Sequence, residues 1–388
     1  MTTSTAGRPF IERVKLVNYK SIAACDVALG PLTVIVGRNG TGKSNFLDGL
    51  HLVADALQTT LEGALWSRGG IKVIAHRPGP RHVGVEVTFR LSDGRQAIYA
   101  LQLDPLVVRQ ENLRIFPGPN GPLVDFLRTP HTLRASVNAQ QIATPTVFND
   151  RLALVTLSGL TEFREAFDVL SSMRFYHLNP DAMRTLQDPD ETSLLRGDGS
   201  NITSAWRRIQ QDDPAMAGRL LEYLTAMVPQ IARVAALELG PKESLRFVHA
   251  GSEGTEDPAF LASSMSDGTL RALGVLVATR PRNTGHLLPA LVGIEEPETA
   301  LHPGAIAVVV DAMHEASAKT QILVTTHSPE VLDSVNMETD VLLVTDLIDG
   351  ATTIAGADSA SREAVRRHLY TPGDLLRMNQ LQPAGSAQ

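Results

Sequence analysis

Four stretches of this chain carry residue types that handle phosphate, at spacings that let them do so. Gly37 to Ser44 (GRNGTGKS) fits the pattern Gly-x4-Gly-Lys-Ser. Gly37, Gly40 and Gly42 let backbone N–H groups curl around phosphate oxygens where β-carbons would obstruct them. Lys43 can reach the β- and γ-phosphates, and the Ser44 hydroxyl suits Mg²⁺. The expected nucleotide contacts are Arg38, Asn39, Gly40, Thr41, Gly42, Lys43, Ser44 and Asn45. Far downstream, Leu291-Val292-Gly293-Ile294 is an apolar run that ends in two acids. A carboxylate at the end of a strand beside a phosphate loop can hold the metal, and the next can position and deprotonate an attacking water. Glu295 is assigned to the metal and Glu296 to the water. Taken alone, two acids at a strand end are a common solvated pair.

Two further stretches are weaker signals. Thr325-Thr326-His327-Ser328-Pro329 ends another apolar run, and an imidazole there can hydrogen-bond a γ-phosphate and sense its presence. A lone histidine is more often a satisfied surface residue. Ser264-Met265-Ser266-Asp267-Gly268-Thr269 precedes an apolar helical face at Leu270, Leu273 and Val277. Ser266 or Asp267 serves as an ordinary helix cap there without any ligand.

The elements that must position these residues follow from periodicity. Leu32–Val36 is apolar and β-branched, as a buried strand is, while Phe46, Leu50, Val53 and Leu57 recur at helical spacing. Strand, glycine loop and helix together separate a phosphate loop from a glycine-rich turn. Upstream, Phe10–Val17 and about Ile22–Leu29 read as short strands. Val83, Val85, Val87, Phe89 and Leu91 alternate up to a turn at Ser92–Arg95, and Ala97, Tyr99, Leu101 and Leu103 alternate beyond it, which predicts a hairpin. Pro117–Pro122 reads as a loop and a subdomain boundary, and Gly251–Asp257 as an acidic loop. Between about 123 and 235 the pattern is mostly helical. One helix is capped by Asp213 with Pro214 in its first turn, and another starts near Asn201.

Beyond that, a helix from about Thr269, a strand Leu291–Ile294, a helix Ala305–Ala316 and strands Ile322–Thr325 and Val341–Val344 alternate. That alternation predicts parallel β-α-β units. The expected division is 10–116 and 261–350 as two parts of one α/β unit, 117–260 as a mostly helical insertion and 351–388 as a less regular tail.

Composition narrows the class. With 43% hydrophobic and 20% charged residues, the 388-residue chain has enough apolar material for a large core. A net charge of −7 argues against a chain-wide nucleic-acid coat, although a local basic face is compatible with it. Arg77, Arg81, Arg109, Arg114, Arg128, Arg134, Arg207 and Arg208 are candidates for such a face, or simply solvated surface. One cysteine excludes an internal disulfide, and eleven histidines form no HExxH or HxxxH pair. No apolar run approaches a membrane span and the polar start lacks a signal-peptide core, so a cytoplasmic protein with no membrane role is expected.

In order along the chain, NYKS, GRNGTGKS, SDGTLR, EEPETALHP and TTHSP resemble the ABC ATPase heads of the RecF/SMC-like branch. They most resemble the compact bacterial ATPases related to overcoming-lysogenisation-defect-type defence proteins. FYHLNPDAMR, GDGSN and LYTPGDLLRM extend the resemblance over nearly the whole chain. It implies an α/β P-loop NTPase fold of the ABC-ATPase head type, a mixed sheet with an antiparallel β subdomain and an inserted helical lobe. It also implies a head-to-tail homodimer, or a higher oligomer. Each ATP would be held by Lys43 and Ser44 of one chain and by Ser266 and Gly268 of the other, with Glu296, Lys43 and His327 acting in hydrolysis and Ser44 and Glu295 on Mg²⁺. In the dimer picture, Ala300–Pro303 faces the partner subunit; otherwise His302 merely flanks a helix start. A conformational switch in DNA or RNA transactions is implied, in antiphage defence or DNA repair, with a separate nuclease or effector partner. The alternatives are a transporter's nucleotide-binding subunit and a non-hydrolysing scaffold. Glu295 stands where most of the wider class have Asp, and Asp267 replaces a signature glycine. Gln102 is the candidate for the Q-loop, or else a core-strand edge residue.

Overall fold

A computed structural model describes residues 7–77, 79, 82–105, 107–118, 121–148, 150–190, 194–251, 257–280 and 288–385. Arg81, the interior of the Gly251–Asp257 loop and part of the Pro117–Pro122 loop lie outside the described residues.

The chain opens with β1 (Phe10–Tyr19), β2 (Ile22–Ala28), β3 (Leu32–Val36) and α1 (Lys43–Gln58). Helices α2 (Leu61–Trp66) and α3 (Ile71–Ile74) lead into a meander of β4 (Val83–Arg90), β5 (Gln96–Leu103), β6 (Val108–Phe116), β7 (Val124–Arg128), β8 (Leu133–Val137) and β9 (Gln140–Ile142). Then come α4 (Ala153–Leu157), α5 (Thr161–Ser172), β10 (Arg174–Tyr176), α6 (Pro180–Arg184), α7 (Ile202–Asp212) and α8 (Pro214–Met227). A hairpin of β11 (Ile231–Leu239) and β12 (Lys242–His249), with β13 (Ala259–Leu261), precedes α9 (Asp267–Ala278). The chain closes with β14 (Leu291–Glu295), α10 (Pro303–Ser317), β15 (Gln321–Thr326), α11 (Pro329–Asp333), β16 (Val341–Ile348), β17 (Ala351–Gly356), α12 (Ser359–Arg366) and α13 (Pro372–Arg377).

Two large sheets result. The antiparallel sheet runs β2-β1-β4-β5-β6-β7-β8-β9, and the second runs β10-β14-β15-β3-β16-β17, parallel except for β17. Residues on opposite pleats of the parallel strands serve two different cores. Ile35, Leu291 and Leu323 join α1 and the antiparallel sheet. Val34, Val36, Val292, Ile294, Ile322 and Val324 join α8, α9 and α10. Buried on both faces, these strands read as unbroken apolar runs rather than alternating ones. Phe46, Leu50, Val53 and Leu57 of α1 are buried as their spacing predicts. Each such side chain contributes about 2 kcal/mol relative to remaining exposed. The Gln321 side chain fastens the two sheets: its amide donates to the carbonyls of Ile11 and Gly30 (2.9 and 3.0 Å) and its oxygen accepts from the Ile11 N–H (2.9 Å).

Two expectations need correction. The stretch 117–260 is helical only in part: β7–β9 extend the antiparallel sheet and β11–β13 form a third one. Charged residues at inward positions concealed those strands. Val124, Phe126 and Arg128 face inward on β7, and Arg128 is satisfied by the carbonyls of Arg151 and Phe148 and by Glu111. Glu243, fully buried on β12, is bound by Ser204 and Arg207. The tail after Gly350 is regular as well, because β17 pairs with β16 and α12 and α13 follow it.

Candidate functional site

The phosphate loop is shaped from three distant parts of the chain. Gly40 and Gly42 adopt positive φ (83° and 95°), which only glycine tolerates cheaply. A β-carbon on Gly37 would lie 2.1 Å from Thr345 Oγ1, and one on Gly42 would lie 2.3 Å from Thr352 Oγ1. Thr345 Oγ1 donates to the Val36 carbonyl (3.1 Å) and pairs with Thr41 Oγ1 (2.7 Å). Asn45 and Thr352 both donate to Ser21 Oγ (2.7 and 2.6 Å). The loop thus lies between the NYKS segment and the β16–β17 hairpin, with the positive end of α1 directed at it. Lys43 Nζ donates to the carbonyls of Gly37 (2.7 Å) and Arg38 (3.0 Å), holding the ammonium over the loop. Burial lowers the pKa of Lys43, while Glu296, Glu298 and Glu295 act in the opposite direction. Arg38, Asn39, Gly40 and Ser44 are exposed at the rim.

The parallel register sets the acids beside the loop. Glu295 pairs with Thr325, and Thr326 with Val36, so β14, β15 and β3 end along one edge. That edge is where open α/β sheets bind their ligands. Ser44 Oγ donates to Glu295 Oε2 (2.9 Å). A hydroxyl and a carboxylate converging there form the oxygen donor pair that Mg²⁺ takes when phosphates complete its coordination. Among the described residues no group of three or more His, Cys, Asp or Glu forms a metal cage, and an ion shared with substrate phosphates needs none. Glu296 has φ +42°, left-handed and sterically costly for a side-chain-bearing residue. Its carboxylate lies 3.2 Å from His327 Nδ1.

Sequence reasoning missed three residues at this edge. His177, directly after β10, places Nδ1 3.3 Å from Glu295 Oε2. Glu298 is buried, accepts from Thr326 Oγ1 (2.6 Å) and lies 3.8 Å from His327 Nδ1. Arg271 of α9 donates to the carbonyls of Leu178 (2.9 Å), Glu295 (3.3 Å) and Glu296 (3.2 Å), tying that helix to the acid pair. They stand in FYH, EEPE and SDGTLR, but no local pattern marks them as site residues. Gln102 sits exposed on β5, opposite Gly84 and Gln110 and between β4 and β6 in the antiparallel sheet.

Ser266 and Gly268 are not part of this cluster. Ser266 Oγ caps α9 by accepting from the Thr269 N–H (3.2 Å), and Gly268 packs on the Ala300 carbonyl. Among the described residues, no hydrogen bond joins either one to residues 37–45. Asp267 beside them is bound by Arg184, which also holds Asp181 (2.8 Å), so its charge is compensated locally. Of the candidate arginines, Arg128 and Arg207 are engaged internally and Arg77 donates to the Lys72 carbonyl (2.9 Å).

Comparison with known proteins agrees with this geometry. Residues 32–333, most of the chain, match the family described as "AAA domain, putative AbiEii toxin, Type IV TA system". Forty-five residues (11% of the chain) are 49% identical to the DNA replication and repair protein RecF of Porphyromonas gingivalis, a match that spans 12% of that protein. An SMC head bound to the C-winged helix domain of ScpA superposes with a TM-score of 0.58 at 15% identity, over 92% of this chain and 99% of that one. The Pyrococcus furiosus SMC head, bound to the C-terminal domain of ScpA, gives 0.56 at 13%, over 93% and 99%. Likeness at such identity speaks for the fold alone. With its phosphate loop, paired acids and the extent of the family match, the chain belongs to this AAA-domain family of P-loop ATPases and has the RecF/SMC-type head fold.

Proposed function

We propose that the chain hydrolyses ATP between two copies of itself and uses closure and opening of that dimer as a conformational switch. One observation carries the reading: Ser44 meets Glu295 and Glu296 meets His327 at the loop's edge, while Ser266 caps its own helix and Gly268 packs on the Ala300 carbonyl, neither bonding residues 37–45 among the described residues. That separation is what a site completed by a second copy requires. Bound Mg²⁺, held by Ser44 and Glu295, would neutralise phosphate charge. Lys43 binds the β- and γ-phosphates, Glu296 orients water and takes its proton, and His327 hydrogen-bonds the γ-phosphate. The Ser266 hydroxyl and the backbone N–H groups at the start of the partner copy's α9 meet the same phosphate. His177, with Nδ1 3.3 Å from Glu295 Oε2, would steady that carboxylate for the ion.

The RecF likeness and the family's description support a DNA or RNA transaction in repair or antiphage defence, with a separate nuclease or effector chain and a cytoplasmic location as parts of the same proposal. No helix of the described residues is long and apolar enough to cross a membrane.

The test mixes Lys43→Ala chains with Ser266→Arg chains. Each homodimer should lack turnover, and the mixture should regain at most one working site per dimer. Normal phosphate release by Ser266→Arg alone would eliminate the shared site, and no release by the native chain would eliminate hydrolysis.

A further inference from the structure

The acid that the mechanism above does not use is Glu298. Its side chain is only 5% exposed, and Oε1 accepts from both the Thr326 hydroxyl (2.6 Å) and the His327 N–H (3.3 Å). Its second oxygen, Oε2, is buried without a hydrogen-bond partner. A buried, unpartnered polar atom destabilises the fold, so stability alone does not account for it. The carboxyl lies two residues past Glu296 and grips the end of β15 where His327 leaves the sheet. The backbone N–H of Glu296 is in turn held by the Thr325 carbonyl (3.0 Å). The two ends are therefore fastened in both directions, with the imidazole Nδ1 between two acids, 3.2 Å from Glu296 and 3.8 Å from Glu298.

We infer that Glu298 is a positioning residue, which holds His327 with Nδ1 toward Glu296 and leaves Nε2 to meet the γ-phosphate. This rests on the ATPase reading. With Nδ1–H directed at Glu296, the doubly protonated ring presents Nε2–H to a phosphate oxygen, since the neutral Nδ1–H ring would offer only a lone pair there. Without Glu298, the Thr326–His327 end loses two hydrogen bonds and the ring is free to rotate away from the reacting phosphate. Burial raises the pKa of Glu298, with the Thr326 and His327 hydrogen bonds opposing that shift. Both of those bonds end on Oε1 as acceptor, so an amide oxygen of the same shape should serve in its place.

The test measures phosphate release and ATP affinity for Glu298→Ala, Glu298→Gln, His327→Ala and the double variant Glu298→Ala/His327→Ala. Glu298→Ala is expected to lower kcat about 100-fold, the scale of a 1 Å misplacement, with ATP affinity within about threefold. Glu298→Gln should recover at least tenfold of that loss, and the double variant should be no slower than His327→Ala. Multiplying losses, or a Glu298→Gln as slow as Glu298→Ala, would overturn the role. A second readout needs no turnover: in ¹⁵N-histidine spectra, the resonances absent from His327→Ala should shift in Glu298→Ala and return towards native in Glu298→Gln. An unshifted His327 signal would overturn the positioning role even in a protein that hydrolyses nothing, whereas a shifted signal without native turnover would fault only the ATPase reading.

Discussion

Gly268→Ala tests the signature segment at its tightest point. A β-carbon there would meet the Ala300 carbonyl oxygen at 2.4 Å, where ordinary contact begins at 3.4 Å. The obstacle is backbone, and Ala300 is itself held at φ +64°, so no side chain can swing aside. The first turn of α9 and the turn before α10 must therefore separate by about 1 Å. Overpacking of this kind costs about 1–3 kcal/mol, a loss of a few degrees in thermal midpoint for a chain that still folds. Function should suffer more than stability, since displacing a group that contacts the transition state by 1 Å costs about 100-fold in rate. The assay pairs phosphate release at saturating ATP with equilibrium ATP binding at dilute protein, where only the chain's own phosphate loop is engaged. Turnover should fall about 100-fold and dilute binding should change less than twofold. Turnover within twofold of the native rate would refute both the tight packing and the role given to the start of α9.

Two further perturbations examine other parts of the structure. Thr345→Val keeps the shape but removes the hydroxyl that bonds the Val36 carbonyl and Thr41. Leaving a buried carbonyl unsatisfied costs about 1–3 kcal/mol, and calorimetric titration should show ATP affinity falling by about 5- to 150-fold; an unchanged affinity would remove the brace from the account. His314 bonds Asp340 at 2.6 Å, a contact that raises its pKa above the usual 6.5. Its charged form is the one stabilised, so the contribution is complete below pH 6.5 and disappears as pH rises through the raised value. The difference in thermal midpoint between the native chain and His314→Gln should shrink over that interval, and a difference independent of pH would contradict the assignment.

The sequence showed most where backbone geometry and burial agree with local pattern. Gly40 and Gly42 stand at the positive-φ positions of the loop, and Leu32–Val36 is buried on both faces, so strand, loop and helix could be read directly. Glu295, Glu296 and His327 were legible because each ends an apolar run, and a parallel register brings such ends to one edge. His177 was not, because β10 is only three residues long and its pairing with β14 is set by tertiary structure. Nothing local indicates that Glu298 turns inward to Thr326. Arg128 and Glu243 hide their strands in the opposite sense: a buried charge satisfied by distant partners interrupts the apolar face of β7, and β12 buries Glu243, Ser244 and Leu245 in a row.

The brace on the phosphate loop bears on how the protein is made. The ribosome finishes residues 37–45 early, yet Thr345 and Thr352, which fix that loop, and β15 and β16, which flank β3, are translated roughly 280 to 310 residues later. For most of its synthesis the nascent chain therefore holds a central apolar strand without neighbours and a glycine loop without its final shape. Nucleotide cannot template the early folding of this protein; it can only reward a chain whose last strands have already closed over the first.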